Sequence, residues 1–149
     1  VDQGLPVTYR TIHIGGASFD AILRDVLGVP LPEARQLKRD IEFIRDGIEW
    51  RTVLMPAIEP IIKEIQYGFD LFLHQSGNVG KRPEKIILTG GASLFYPIAQ
   101  LLGEIFPMKV FVGDPWARVV YQQDLKELLD RIGARMSVAI GLALRHVVG

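Results

Sequence analysis

The stretch whose reading decides the fold is Lys85-Ile-Ile-Leu-Thr-Gly-Gly91, followed directly by Ala92 and Ser93. A short apolar run closed by two glycines reads as a buried β-strand entering a tight turn. The missing side chains of Gly90 and Gly91 let backbone approach a ligand closely. A helix starting after them would add free amides. A backbone-lined slot at the end of a parallel strand is one form of nucleotide site. A Gly-Gly after a strand is also, and more often, a tight turn and nothing else. The pattern is neither GxGxxG nor a Walker loop, so dinucleotide and P-loop readings have no support.

Toward the C-terminus, a helix is predicted from about Tyr96 to Phe106, with Pro97 at its opening. Lys109 to Pro115 (KVFVGDP) reads as a second short strand with a Gly-Asp-Pro stop. Asp124 to Arg131 reads as a charged amphipathic helix. Ala134 to Val147 reads as a further helix, apolar on nearly every side between Met136 and Leu144, which predicts burial. Strand, helix, strand, helix over 85–147 implies parallel pairing with helical crossovers. The fold class is α/β.

Toward the N-terminus, Val7 to Ile14 (VTYRTIHI) alternates and carries β-branched residues, which predicts a strand ended by Gly15-Gly16. Ser18 is the candidate N-cap of a helix with an apolar stripe at Phe19, Ile22, Leu23, Val26 and Leu27. Gly28 sits where a left-handed C-terminal residue belongs. A second helix is predicted over Pro32 to Asp40, while Ile41 to Thr52 has no clean period. Ile58, Ile61, Ile62, Ile65, Phe69, Phe72 and Leu73 then share one face of a long helix. Pro56 and Pro60 suit only its beginning. That stripe reads as core against the sheet, because Lys63, Glu64 and Asp70 flank it instead of a basic lipid-facing row. Gln75 to Pro83 is a polar turn.

The chain has 149 residues with 17 basic and 17 acidic side chains, hence no formal net charge. Neutrality argues against a nucleic-acid binder working through a basic surface, and against a polybasic membrane arm. Hydrophobic content of 48% with 23% charged suits a packed domain and is too apolar for disorder. No apolar run reaches the ~18 residues of a membrane span. Cysteine is absent, which removes disulfides, thiolate metal sites and a cysteine nucleophile. His13, His74 and His146 stand alone, without partners at metal-ligand spacing. Asp114 before Pro115 reads as a turn initiator, and Ser93 as a cap and not a nucleophile. Trp50 and Trp116 read as core-edge packing before they read as partner anchors. The chain opens on Val1, not methionine, and is read as a piece of a longer one.

The segment IILTGGASLFYPIAQLLGEIF (86–106) resembles the adenosine-contacting segment of the actin-like ATPase superfamily, which takes in actin, heat-shock chaperones and FtsA. Three further pieces resemble the type IV pilus assembly protein PilM family. They are RTIHIGG (10–16), LPEARQLKR (31–39), and VFVGDPW (110–116) with SVAIGLALR (137–145). The order and spacing hold from Arg10 to Arg145. The resemblance implies the second RNase H-like domain of a two-domain protein, a mostly parallel sheet lacking its first strands. It implies a single segment over 1–149, with a reduced helical insertion at 15–55 and a sheet–helix core at 56–149.

In that superfamily ATP and magnesium lie between two domains, so the segment would hold the adenosine half of the site and complete no chemistry alone. The resemblance places Gly90, Gly91, Ala92 and Ser93 at the adenosine turn, and Lys38 on the family lysine that reaches ribose or base. Three positions earlier the family glutamate is Arg35, which can only donate hydrogen bonds. Glu33 lies on a different helical face. Asp20 replaces a family threonine, and Pro97-Ile98 a proline-glycine. Arg35 and Lys38 also fit the plainer reading of a solvated helix face.

By resemblance, the parent protein is a weak ATPase and a scaffold at the cytoplasmic side of the inner membrane. Its partners would be a bitopic inner-membrane pilus assembly protein and pilus motor components, with no nucleic acid and no membrane insertion of its own. ATP and magnesium belong to the complete protein, and none is expected on this segment alone. Two alternatives stay open: an FtsA-like division protein, which would need a C-terminal amphipathic helix beyond GLALRHVVG, and a fragment of a small-molecule kinase of the same superfamily.

Overall fold

The computed structural model describes residues 1–2, 4–40, 48–75, 77–78 and 80–145. Its elements are α1 (Gly16–Leu27), α2 (Leu31–Arg39), α3 (Trp50–Leu73), β1 (Lys85–Leu88), a 3-10 turn (Gly91–Leu94), α4 (Tyr96–Ile105), β2 (Lys109–Val112), a second 3-10 turn (Gln123–Leu125) and α5 (Lys126–Leu144). The chain packs as two units, Val1–Lys85 and Ile86–Gly149.

In the first unit α1 packs against both α2 and α3. The predicted α1 stripe holds at its centre, with Phe19 and Leu23 buried, and fails at Val26, which is 54% exposed. Helix α1 ends at Gly28, whose φ of 65° and ψ of 26° are the left-handed values expected there. Its start is earlier than predicted. Gly15 is the N-cap, and Ser18 accepts the Gly15 amide on its Oγ at 3.3 Å from inside the first turn. Helix α2 lies within a residue of its predicted span, with Pro32 in its first turn.

Helix α3 begins six residues ahead of Pro56, so both prolines lie inside it. Neither can donate to the carbonyl four residues back. Both face solvent, where water can take the freed carbonyls. The buried part of the α3 stripe is Val53, Leu54, Ala57, Ile58 and Ile62, and α3 packs on α1. Burying side chains such as Leu54 and Ile58 contributes about 2 kcal/mol apiece.

The predicted strand at Val7 to Ile14 does not form. A two-residue period makes a strand only where a neighbour completes the hydrogen-bond ladder, and among the described residues none does. Tyr9 is 85% exposed. The segment is fastened by Arg10 instead. Its Nη2 lies 2.8 Å from Glu64, and its guanidinium carbon 4.7 Å from the Tyr67 ring centroid, both on α3. Of the unpatterned stretch Ile41 to Thr52, positions 41–47 lie outside the described residues.

The second unit holds the two-stranded sheet. The Gly113 amide donates to the Leu88 carbonyl at 2.8 Å, so the carboxyl ends of β1 and β2 lie together and the pair is parallel, with α4 as crossover. Helix α4 buries Ile98, Leu101 and Leu102 between Phe95 and Phe106 and packs on β2. One helix covers one face. Ile86, Leu88, Val110 and Val112 are half-buried, while Ile87 and Phe111 are 50% and 41% exposed, so the strand is not buried on both sides as expected.

The two helices expected at Asp124 to Arg131 and Ala134 to Val147 are one continuous α5 from Lys126, with its final predicted residues outside the described set. Gly133 does not break it. Gly133 and Ala134 are buried, and a Cβ on Gly133 would stand 2.8 Å from the Trp116 indole nitrogen. The helix is buried on one side only, since Val138 and Leu142 are 75% and 62% exposed.

Candidate functional site

Gly90 has φ of 84° and ψ of 170°, a conformation nearly closed to other residues. Its amide donates to the Ala134 carbonyl in α5 at 2.8 Å. Its carbonyl accepts the Ser93 amide at 3.1 Å and the Ser93 hydroxyl at 2.7 Å. Ser93, 6% exposed, therefore spends its hydroxyl inside the turn and does not cap α4. Helix α4 starts at Tyr96 as predicted, with Phe95 as its N-cap, and a 3-10 turn stands between it and the glycines. The α4 dipole and its first amides are thus not at the Gly-Gly turn.

Across the turn lies Arg135. A Cβ on Gly91 would sit 3.5 Å from Arg135 Cγ and 3.7 Å from its Nε, so the arginine stem lies in van der Waals range of the turn. The Ala134 carbonyl bonded to Gly90 is the residue before it, which sets the register of arginine against turn. Sequence reasoning missed this residue. The signal was present as the one cation in the run Ala134 to Leu144.

At the carboxyl ends of the strands, Thr89, Asp114, Ser137 and Ile140 contribute to the lining of a mostly apolar cavity of about 220 Å³. Asp114 Oδ1 accepts the Trp116 amide at 2.8 Å, the geometry of a turn initiator. Trp116 Nε1 donates to the Leu129 carbonyl of α5 at 2.9 Å, and the indole packs where Gly133 has no side chain.

The two α2 cations Arg35 and Lys38 converge on one carboxylate. Asp20, in α1 and 6% exposed, accepts from Lys38 Nζ on one oxygen and from Arg35 Nε at 3.2 Å on the other. Lys38 also donates to the Gly16 carbonyl at 2.9 Å. Positions 35 and 38 are three apart on α2 and so share a face, which the buried Asp20 meets from α1. Glu33 stands exposed off that face. The structure thus groups Arg35 with Lys38 in one unit, and Gly90, Gly91, Ala92 and Ser93 with Arg135 in the other.

His13 is exposed, His74 Nδ1 lies 2.7 Å from the Asp70 carbonyl, and His146 lies outside the described residues. Among the described residues no group of three or more His, Asp or Glu side chains could hold a metal ion. No helix among them is long and apolar enough to cross a membrane.

The family model described as type IV pilus assembly protein PilM matches residues 1–147. Among solved structures, a chain of a PilM-PilN type IV pilus biogenesis complex is similar in fold, with a TM-score of 0.66 and 24% identity. The match covers 91% of this chain and 38% of that one, so this chain spans well under half of that protein's length. No curated protein matches.

Proposed function

The chain belongs to the type IV pilus assembly protein PilM family, and from that premise we propose that it is a scaffold segment of the pilus assembly platform. The observation that carries this reading is the family match over 1–147. The similar fold comes from a chain seen together with PilN. On that basis the complete protein docks the cytoplasmic tail of a bitopic inner-membrane partner and couples it to the pilus motor. It works on the cytoplasmic side of the inner membrane, without inserting into it.

In the same proposal the complete protein takes adenine nucleotide, and the nucleotide sets closure between its domains. This segment would contribute the Gly90–Ser93 turn and the Arg35 and Lys38 helix. The turn suits such a ligand through its glycine backbone. The cation pair fits it less well, because Asp20 already neutralises part of its charge. No carboxylate cluster for magnesium stands among the described residues. No feature of the fold favours the division-protein or kinase alternative.

The test is capture of the full-length protein on a peptide of the membrane partner's cytoplasmic tail, with a scrambled peptide beside it. Saturable, sequence-dependent capture is expected. Equal capture on both peptides would overturn the scaffold reading.

A further inference from the structure

Helix α5 carries an outward face that stays largely in solvent. Leu128, Arg131, Arg135, Val138, Leu142 and Arg145 follow one another at spacings of three, four, three, four and three residues. That is the spacing of a seam along which one helix packs lengthwise on another. All six are exposed, while Gly133 and Ile140 are buried on the opposite side. Leu128, Val138 and Leu142 are 54%, 75% and 62% exposed. A face kept only for solvation carries polar residues at such positions.

The arginines define what this face can meet. They are the only charged residues from 131 to 145, a basic stretch within a chain of no net charge. Among the described residues none of the three makes a hydrogen bond, ion pair or ring contact. Arg135 is also held in place, by its stem against Gly91 and by the bond between Gly90 and the preceding Ala134. The acids of α5, Glu127 and Asp130, lie near its start, and Asp130 is paired with Lys126. Unpaired guanidinium groups set among aliphatic side chains are complemented by carboxylates that arrive with apolar surface beside them. We infer that the outward face of α5 docks an acidic amphipathic helix of a partner protein, its aliphatic row on Leu128, Val138 and Leu142 and its carboxylates on Arg131, Arg135 and Arg145. This surface requires neither a nucleotide nor the membrane partner's tail.

Other occupants fit this chemistry less well. A second copy laid along the same seam would bring the arginines of both chains together, and like charges facing one another oppose pairing. A lipid surface would take the aliphatic row, but helices that lie in lipid keep their cations on the opposite, polar side. Here the arginines stand within the row itself, where lipid burial would leave their charge unpaired.

The test measures fluorescence anisotropy of two labelled peptides on the full-length protein. One is a designed helix with a leucine row flanked by glutamates, and its twin has lysine at every glutamate. Saturable binding of the glutamate peptide, at least about tenfold tighter than that of its twin, is expected. Arg131→Glu together with Arg135→Glu is expected to reverse that preference. Val138→Ser together with Leu142→Ser is expected to weaken the glutamate peptide about tenfold. The four positions are exposed, so melting of both variants should match the unaltered protein. Equal binding of the two peptides, no saturable binding of either, or an unchanged preference after charge reversal would overturn the inference. Binding to vesicles of phosphatidylglycerol and phosphatidylcholine that charge reversal abolishes would overturn it in favour of lipid. Dimerisation in sedimentation that Val138→Ser with Leu142→Ser abolishes would overturn it in favour of a second copy.

Discussion

In the first unit, the tie that joins α1 to α2 is ionic: two cations from α2 close on a carboxylate buried in α1. In the second unit, the ties that join the turn and the Asp-Pro-Trp corner to α5 are uncharged. Gly90 donates main chain to main chain, and Trp116 donates an indole N–H to a carbonyl. The ionic tie is the riskier arrangement. Taking charge from water costs several kcal/mol per ion, and the pairing offsets this only while every partner is present. The neutral ties carry no such liability, but they demand glycine, at Gly90 for its positive φ and at Gly133 for the room the Trp116 indole takes.

That contrast can be broken most forcefully at Lys38. Lys38→Met leaves Asp20 buried with Arg35 alone, and should lower unfolding free energy by about 3 kcal/mol in urea titration. A loss under about 1 kcal/mol would mean that the carboxylate finds water and that the clasp is not structural.

The matching substitution in the second unit is Gly133→Ala. Alanine inside an ordinary helix gains about 1 kcal/mol over glycine. Here the added methyl meets Trp116 Nε1 at 2.8 Å and Cδ1 at 3.1 Å. Overpacking costs about 1–3 kcal/mol, so a net loss of about 1 kcal/mol is expected. The sign is the informative part. Stabilisation would show that the indole gives way freely and that the neutral tie is loose.

Arg10→Ala removes an ion pair whose side chains are 43% and 33% exposed, together with the contact to Tyr67. A drop below about 1 kcal/mol is expected from thermal unfolding, because solvent screens such pairs. A larger loss would show that this strap, and not the clasp, organises the first unit.

The smallest effects are those of pH. In the first unit, the hydrogen bond from Lys63 and then its charge hold the Glu59 carboxyl below its ordinary value. Its folded pKa is depressed, so its contribution is present above the unfolded carboxylate range and is lost as pH falls through the folded value. In the second unit, the hydrogen bond from Lys126 to Asp130, and then the carboxylate's charge, raise Lys126. Its contribution is present below the ordinary lysine range and fades as pH rises through the folded value. Melting curves of Glu59→Gln and Lys126→Met should therefore flatten opposite limbs of the pH profile. Both pairs are exposed, and a change on the wrong limb would show that other groups control the profile.

Sequence patterning captured what depends on nearby residues. It placed β1, β2, α2 and α4, the left-handed Gly28 and the polar turn after α3, each governed by local period or by glycine and proline. It failed where the outcome rests on a distant neighbour. The alternation of Val7 to Ile14 is genuine, yet a strand needs a ladder partner that period cannot supply. Pro56 and Pro60 looked like boundary marks because the solvent that takes their freed carbonyls is visible only once the helix is placed. The single helix α5 was read as two, and the indole that packs at Gly133 between them comes from Trp116. For the candidate site, the Gly90–Ser93 turn and the Arg35 and Lys38 face were legible from composition and resemblance. The convergence on Asp20 and the course of Arg135 were not, since each joins separate elements.

The hydrogen bond from Gly90 to Ala134 bears on how mutagenesis of this chain is to be read. An alanine scan deletes side chains, and both atoms of this bond belong to the main chain. Away from Gly90, whose positive φ resists alanine, and Gly133, scanning α5 or the turn would leave both atoms in place and so report the junction as tolerant. The donor disappears only with a residue that has no amide hydrogen, as in Gly90→Pro. Sequences can therefore drift widely around this junction while the spacing between turn and helix stays the same.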